Sequence, residues 1–222
     1  PAARPGRLMS ALPSRLLIVT DRHLARRPLE AVVRDAITGG ARWFWLRDRD
    51  LPPDERKALA FRLAGIVRDA GGRLSIGADI ELAAEAQTGA AHVRDMADIA
   101  RARHLLGPSA LVGLSAHSVA DAANAKAAGA DYVTLSPIHE TVSKPGYGPA
   151  LGNAAIQRAA ETGLPIVALG GIGAGNAAAA LAAEAAAIAV MGGVMRAEST
   201  PQAVKALLAA TELSQAHCRA PV

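Results

Sequence analysis

The chain has 222 residues, half of them apolar, which suits a single domain with a substantial core and argues against disorder as a whole. Its 24 Lys and Arg against 20 Asp and Glu give a formal charge of +4. No basic block interleaves with aromatics, which argues against a nucleic-acid partner, and no apolar run reaches the ~20 residues of a membrane span.

The opening PAARPGRLMSALPS is basic and Pro-rich, lacks a continuous apolar stretch, and is read as a flexible lead-in over residues 1–14 rather than a signal peptide. A first strand, RLLIVT, ends at Thr20, and an amphipathic helix from about Pro28 to Ile37 stops at Gly39 and Gly40. RWFWLR follows, then a helix opening at Pro53. The alternation continues with RLSIGA and a helix from Ile80, AAHVR and a helix from Asp98, and ALVGLSA and a helix from Val119. YVTLSP precedes a helix after Gly152, PIVALGG one after Gly175, and AAIAVMGG one near Pro201.

These eight strand–helix units have strands that are apolar nearly throughout, as parallel strands covered on both faces should be. The expected fold is a single (β/α)8 barrel over residues 15–213, followed by a tail at 214–222, with a doubly wound open sheet as runner-up. The single cysteine, Cys218, excludes an internal disulfide framework and predicts a reducing, cytoplasmic setting. The sequence leaves a homodimer open.

In a barrel, active sites sit at the C-terminal strand ends. There the chain carries Arg47-Asp48-Arg49, Ala78-Asp79, His92 to Asp95, Ser115-Ala116-His117, Gly170-Gly171 and Gly192-Gly193. After the sixth strand comes the long polar loop Ser136 to Gly152, which the barrel plan sets over the mouth. The glycine pairs after strands 7 and 8 let backbone approach an anion and predict a phosphate site. Arg47 and Arg49 could fork onto a second anion such as pyrophosphate, or pair structurally with Asp48, Asp50 or Asp79. Ser115 and His117 share strand parity, and a histidine there could move a proton near neutral pH or serve only as a structural hydrogen-bonder. His92 and His139 are weaker candidates of the same kind. Thr141, Ser143 and Lys144 offer two hydroxyls and an ammonium to phosphate oxygens.

With IVTD (18–21), WLRDR (45–49), VGLSAHS (112–118), GADYVTLSPIHETVSKPGYGPALG (129–152), VALGGIGAGN (167–176) and AVMGGV (189–194) in this order, the chain resembles the thiamine-phosphate synthase/TenI family of small barrels over about residues 15–210. The synthase branch joins an aminopyrimidine pyrophosphate to a thiazole phosphate and releases pyrophosphate. The resemblance implies pyrophosphate contacts from Arg47, Arg49, Ser115, Thr141, Ser143 and Lys144. It implies thiazole phosphate at Gly170, Gly171, Gly192 and Gly193, with Ser115, His117 and Lys144 as catalytic residues.

Two family features are absent. The strand-2 glutamine is Trp45, and the aspartates that hold Mg2+ in the synthase fall on Ala78 and on a shortened segment after strand 4. Mg2+ is expected if the chain is a synthase, with Asp79 the first substitute ligand and Asp95 or Asp98 next. The TenI branch lacks those aspartates too and moves a proton on a thiazole carboxylate phosphate with the histidine that corresponds to His117, needing no cofactor. A barrel that binds phosphorylated ligands without turning them over is the third possibility.

Overall fold

The computed structural model describes residues 12–141 and 148–218. Eight parallel strands close into a barrel in the order β1 to β8: β1 Leu16–Val19, β2 Trp43–Leu46, β3 Arg73–Gly77, β4 Ala90–Val93, β5 Leu111–Ala116, β6 Tyr132–Leu135, β7 Ile166–Leu169 and β8 Ala187–Val190. β8 pairs back onto β1, with Leu17 opposite Ala189, so the sheet has no edge and the open-sheet runner-up is set aside.

The intervening helices are α1 Leu29–Thr38, α2 Pro53–Asp69, α3 Ile80–Glu85, α4 Ala97–Leu106, α5 Val119–Ala128, α6 Asn153–Ala160 and α7 Ala177–Ala182. α8 Gly192–Met195 and α9 Thr200–Cys218 follow β8. Their starts follow local chemistry. Pro53 opens α2 with Asp54 and Glu55 in the first turn, Asp79 caps α3 through Leu82 N, and Ser118 caps α5 through Asp121 N. In α1 the buried Leu29, Val32, Val33 and Ala36 repeat at helical spacing and turn one face to the sheet.

α8 departs from expectation. Gly192 and Gly193 read as a loop because glycine is a poor helix former. Burial of Val194 and Met195 outweighs that preference and winds one helical turn after β8, closed by Met195 N to Met191 O at 2.9 Å. α9 also runs on to Cys218, through the first residues of the expected tail. Residues 1–11, and Ser143 and Lys144, lie outside the described residues.

Strand parity divides the core in two. Leu16, Ile18, Phe44, Leu46, Ile76, Val112, Leu114 and Val133 face the helices, whereas Leu17, Val19, Trp43, Trp45, Leu111, Tyr132, Val167 and Ala189 fill the barrel. The interior is lopsided. Trp43 meets Tyr132 edge-on at 5.0 Å, and Trp45 lies over His92 at 3.9 Å, so large rings from β2, β4 and β6 occupy most of it. Glycines make the room: a Cβ on Gly113 would sit 2.1 Å from Cζ of Tyr132, and one on Gly77 would sit 2.5 Å from Nε1 of Trp45.

At the opposite, N-terminal end, Asp131 accepts from Val112 N (2.7 Å) and from Arg103 Nη2 (2.5 Å), tying the approach to β6 to α4 and β5. Polar groups there serve stability, and chemistry is left to the other end.

Gly113→Ala should be strongly destabilising, because the Tyr132 ring it meets is walled in by Trp43 and His92. Overpacking of this kind costs about 1–3 kcal/mol, a fall in Tm of several degrees for a chain of this size by differential scanning calorimetry. An unchanged Tm would refute the packing argument.

Candidate active site

The C-terminal strand ends surround a cavity of about 540 Å³. Its lining follows from the barrel's own period of two, carried past the strands. β2 continues Trp43 and Trp45 into Arg47 and Arg49; β4 continues His92 into Arg94; β5 continues Ser115 into His117; β6 continues Thr134 into Ser136; β7 leads through Leu169 to Gly171. Of the predicted site residues, Arg47, Arg49, Ser115, His117, Thr141, Gly170, Gly171, Gly192 and Gly193 all line this one cavity.

The floor is a buried polar chain. His92 Nδ1 lies 3.1 Å from the Tyr132 hydroxyl, and its Nε2 lies 3.2 Å from both Ser115 Oγ and Thr134 Oγ1. Burial pushes the His92 pKa down to about 3, so the ring is neutral and acts as a hydrogen-bonding strut. Its partners fix Ser115 at the bottom of the pocket.

His117 stands at the rim and is exposed. Its Nδ1 lies 2.9 Å from the carbonyl oxygen of Ser136, which can only accept, so Nδ1 carries a proton and donates it there.

The strand-2 arginines have separate fates. Arg47 Nη1 pairs with Asp21 Oδ2 at 3.0 Å. Asp48 is buried between Thr20 Oγ1 (2.5 Å) and Arg22 N (2.6 Å), and fastens the ends of β1 and β2 together. Arg49 has no acidic partner among the described residues. Partial burial, then repulsion from Arg94, Arg47 and Arg56, lowers its pKa, though a guanidinium stays protonated. Arg94 and Arg196 also line the cavity, and Glu140 is the sole carboxylate among the described lining residues. Strand parity could have found Arg94, two residues past the inward-facing His92.

Gly170 and Gly171 have φ of +92° and +64°, and the close approach they permit is to the start of the long loop. A Cβ on Gly171 would lie 2.5 Å from the Glu140 carbonyl oxygen, and Ile138 N and His139 N bond to the carbonyls of Leu169 and Gly170. Asn176, missed in the sequence, holds the same turn by donating to Gly171 O and accepting from Gly173 N, each at 2.8 Å. Its signals were its place before α7 and at the end of the VALGGIGAGN stretch.

Asp79 stands otherwise than expected of a metal ligand. Its Oδ1 accepts from Leu82 N (2.9 Å) and its Oδ2 from Arg56 Nη1 (2.6 Å); the same buried guanidinium donates to Gly77 O and Asp48 O. Asp95 Oδ1 accepts from Ala97 N at the start of α4. Among the described residues no three His, Cys, Asp or Glu side chains are grouped to hold a metal ion, and neither Asp79 nor Asp95, the acids expected to replace the family's Mg2+ ligands, lines the cavity.

Fold and cavity together define a (β/α)8 barrel with a cationic, hydroxyl-bearing pocket at its catalytic end, and no helix of the described residues is long and apolar enough to cross a membrane. The chain belongs to the thiamine monophosphate synthase family, whose model matches residues 16–194. It is 38% identical over 184 residues to a thiamine-phosphate synthase of Methanoculleus marisnigri, covering 81% of this chain and 87% of that protein. It is 35% identical over 193 residues to one of a Roseiflexus species, covering 86% and 82%. The solved thiamine phosphate pyrophosphorylase from Pyrococcus furiosus superposes with a TM-score of 0.81 at 26% identity, covering 94% of this chain and 99% of that one.

Two measurements check this account. Asp79→Asn keeps the cap but removes the charge facing Arg56, and should lower stability by about 1–3 kcal/mol. The loss should be the same with and without Mg2+ in calorimetry; a loss confined to Mg2+ buffer would identify a metal ligand instead. For His92, the folded pKa lies below the unfolded value of about 6.5, so the unfolded chain binds the extra proton and stability falls as pH drops from about 6.5 toward 3. His92→Gln should flatten that part of a denaturation-against-pH curve.

Proposed function

We propose that the chain is a thiamine-phosphate synthase that joins an aminopyrimidine pyrophosphate to a thiazole phosphate and releases pyrophosphate. What carries the reading is the convergence, in a chain matched to the family from residue 16 to residue 194, of Arg47, Arg49, Ser115 and Thr141 with the two glycine pairs on one cavity. That gives more anion donors than a single phosphate needs.

On this reading the C–O bond between the pyrimidine methylene and the pyrophosphate breaks, and its electron pair leaves with the pyrophosphate. The thiazole nitrogen donates its lone pair to the carbon. No net proton transfer is required. The protein's work is to hold the two substrates in line and to place positive charge where the leaving oxygens develop negative charge. Arg47 and Arg49 take the pyrophosphate, joined by Thr141, Ser143 and Lys144 from the loop. The glycine pairs take the thiazole phosphate, with Ser115 beneath the reacting centre. Mg2+ would supply counter-charge to the leaving group, but Asp79 and Asp95 are engaged by Arg56 and by the backbone of α4, and no step is assigned to it.

One observation favours a second reading. With Nδ1–H held on the Ser136 carbonyl, the His117 ring is fixed at the cavity, where a metal-free thiazole tautomerase of this family would use it to move a proton.

The two readings separate on a pair of variants. Supplied with both substrates, the wild type should form thiamine phosphate. Lys144→Ala should lower kcat as well as raise KM, by about ten- to a hundredfold, the effect of one lost charge-assisted contact to a leaving group. If His117→Ala abolishes turnover while Lys144→Ala changes it less than about twofold, which is within one weak contact's effect, the tautomerase replaces the synthase.

A further inference from the structure

Four arginines line the cavity, Arg47, Arg49, Arg94 and Arg196, against one acidic residue among the described lining residues, Glu140. Arg47 is paired with Asp21. Among the described residues Arg49, Arg94 and Arg196 are in no salt bridge, although elsewhere on the molecule Arg22, Arg27, Arg56, Arg62, Arg101 and Arg103 each have one. Mutual repulsion is evident at Arg49, which Arg94, Arg47 and Arg56 all disfavour. Like charges gathered around a concave surface are costly in the empty protein and favourable once a polyanion enters.

The same end of the barrel is poor in groups that could hold a dication. Gly77 and Ala78 close β3 without a side-chain ligand, Asp79 is engaged by Arg56, and Asp95 by the backbone of α4. Arg94 stands two residues beyond His92, in the inward parity of β4, and lines the cavity, whereas Asp95 does not. A cation therefore faces the pocket from the very segment in which the family pattern has a metal-binding carboxylate.

We propose that Arg94 and Arg49 form a pyrophosphate site that works without a divalent cation, the two guanidiniums supplying the charge that a bound metal would otherwise supply. Coupled to the synthase reading, on which this consequence rests, the electron pair of the breaking C–O bond is received by a pyrophosphate held on arginines. Guanidinium suits this role, since its planar fork matches phosphate oxygens two at a time and its charge persists at any working pH.

The test is calorimetric titration of the full chain with inorganic pyrophosphate, in excess EDTA and in Mg2+, alongside thiamine phosphate formation under both conditions. Binding should persist in EDTA, and Arg94→Gln should weaken it by about ten- to a hundredfold, with Arg94→Lys in between. Arg94 is exposed, so the Tm of each variant should stay at the wild-type value and certify the fold. Turnover in EDTA should match that in Mg2+. Binding or turnover that demands Mg2+, or binding indifferent to Arg94→Gln, overturns the proposal. If pyrophosphate binds in EDTA through Arg94 and no thiamine phosphate forms under any condition, the arginine site stands and the synthase reading falls.

Discussion

Closure of eight parallel strands forces every second residue into a space of fixed size, and the site depends on how that space is filled. In this chain β2, β4 and β6 contribute Trp43, Trp45, His92 and Tyr132, and the volume is recovered by Gly77, Ala90, Gly113, Ala187 and Ala189. The rings set the depth of the pocket. They also leave a buried hydroxyl and a buried imidazole, and a polar group in such a place must find a partner. Tyr132, His92, Thr134 and Ser115 satisfy one another in sequence, and the last of these carries the chain of hydrogen bonds up to the cavity. Packing at the bottom thereby orients a hydroxyl at the top.

Above that floor, charge is sorted by what is already paired. Asp21, Asp48 and Asp79 are each engaged by an arginine or a backbone N–H of the scaffold, so they fix strand ends, and none of the three lines the cavity. Arg56 shows how rigid that scaffold is: one buried guanidinium joins the ends of β2 and β3 to the start of α3. Arg49, Arg94 and Arg196, in no salt bridge among the described residues, line the cavity. An anion site of this kind is made by what the acids are doing elsewhere as much as by the cations themselves.

Much of this was legible in the chain, for physical reasons. Strands buried on both faces have to be apolar throughout, which is why RLLIVT, RWFWLR and ALVGLSA announced themselves. The Gly and Pro between units marked where the chain turns. Gly170 and Gly171 have a positive φ that leaves few alternatives to glycine, whereas Gly192 and Gly193 lie in the turn of α8, and Gly171 approaches the loop backbone, a contact between segments distant in sequence. The turn of α8 was missed because its cause, burial of Val194 and Met195, is tertiary. The partner of Asp79 was hidden for the same reason: that Arg56, 23 residues away, would pair with it is a matter of how α2 lies over β3. His92 was underrated because a histidine's value depends on whether water reaches it, and here none of its surface is exposed.

The family resemblance and the local chemistry agree on an anion pocket and diverge on what balances the anion. Two unit charges 4 Å apart near a protein surface interact by roughly 4 kcal/mol, and a dication set beside guanidiniums would meet that repulsion twice over from each near neighbour. A site built around a metal therefore keeps its arginines back or its carboxylates close. In this chain Gly77 and Ala78 end β3 without ligating side chains, Asp79 caps a helix, and Arg94 lines the cavity just after β4. Such an arrangement draws a dication weakly and offers a polyanion positive charge that is covalently fixed.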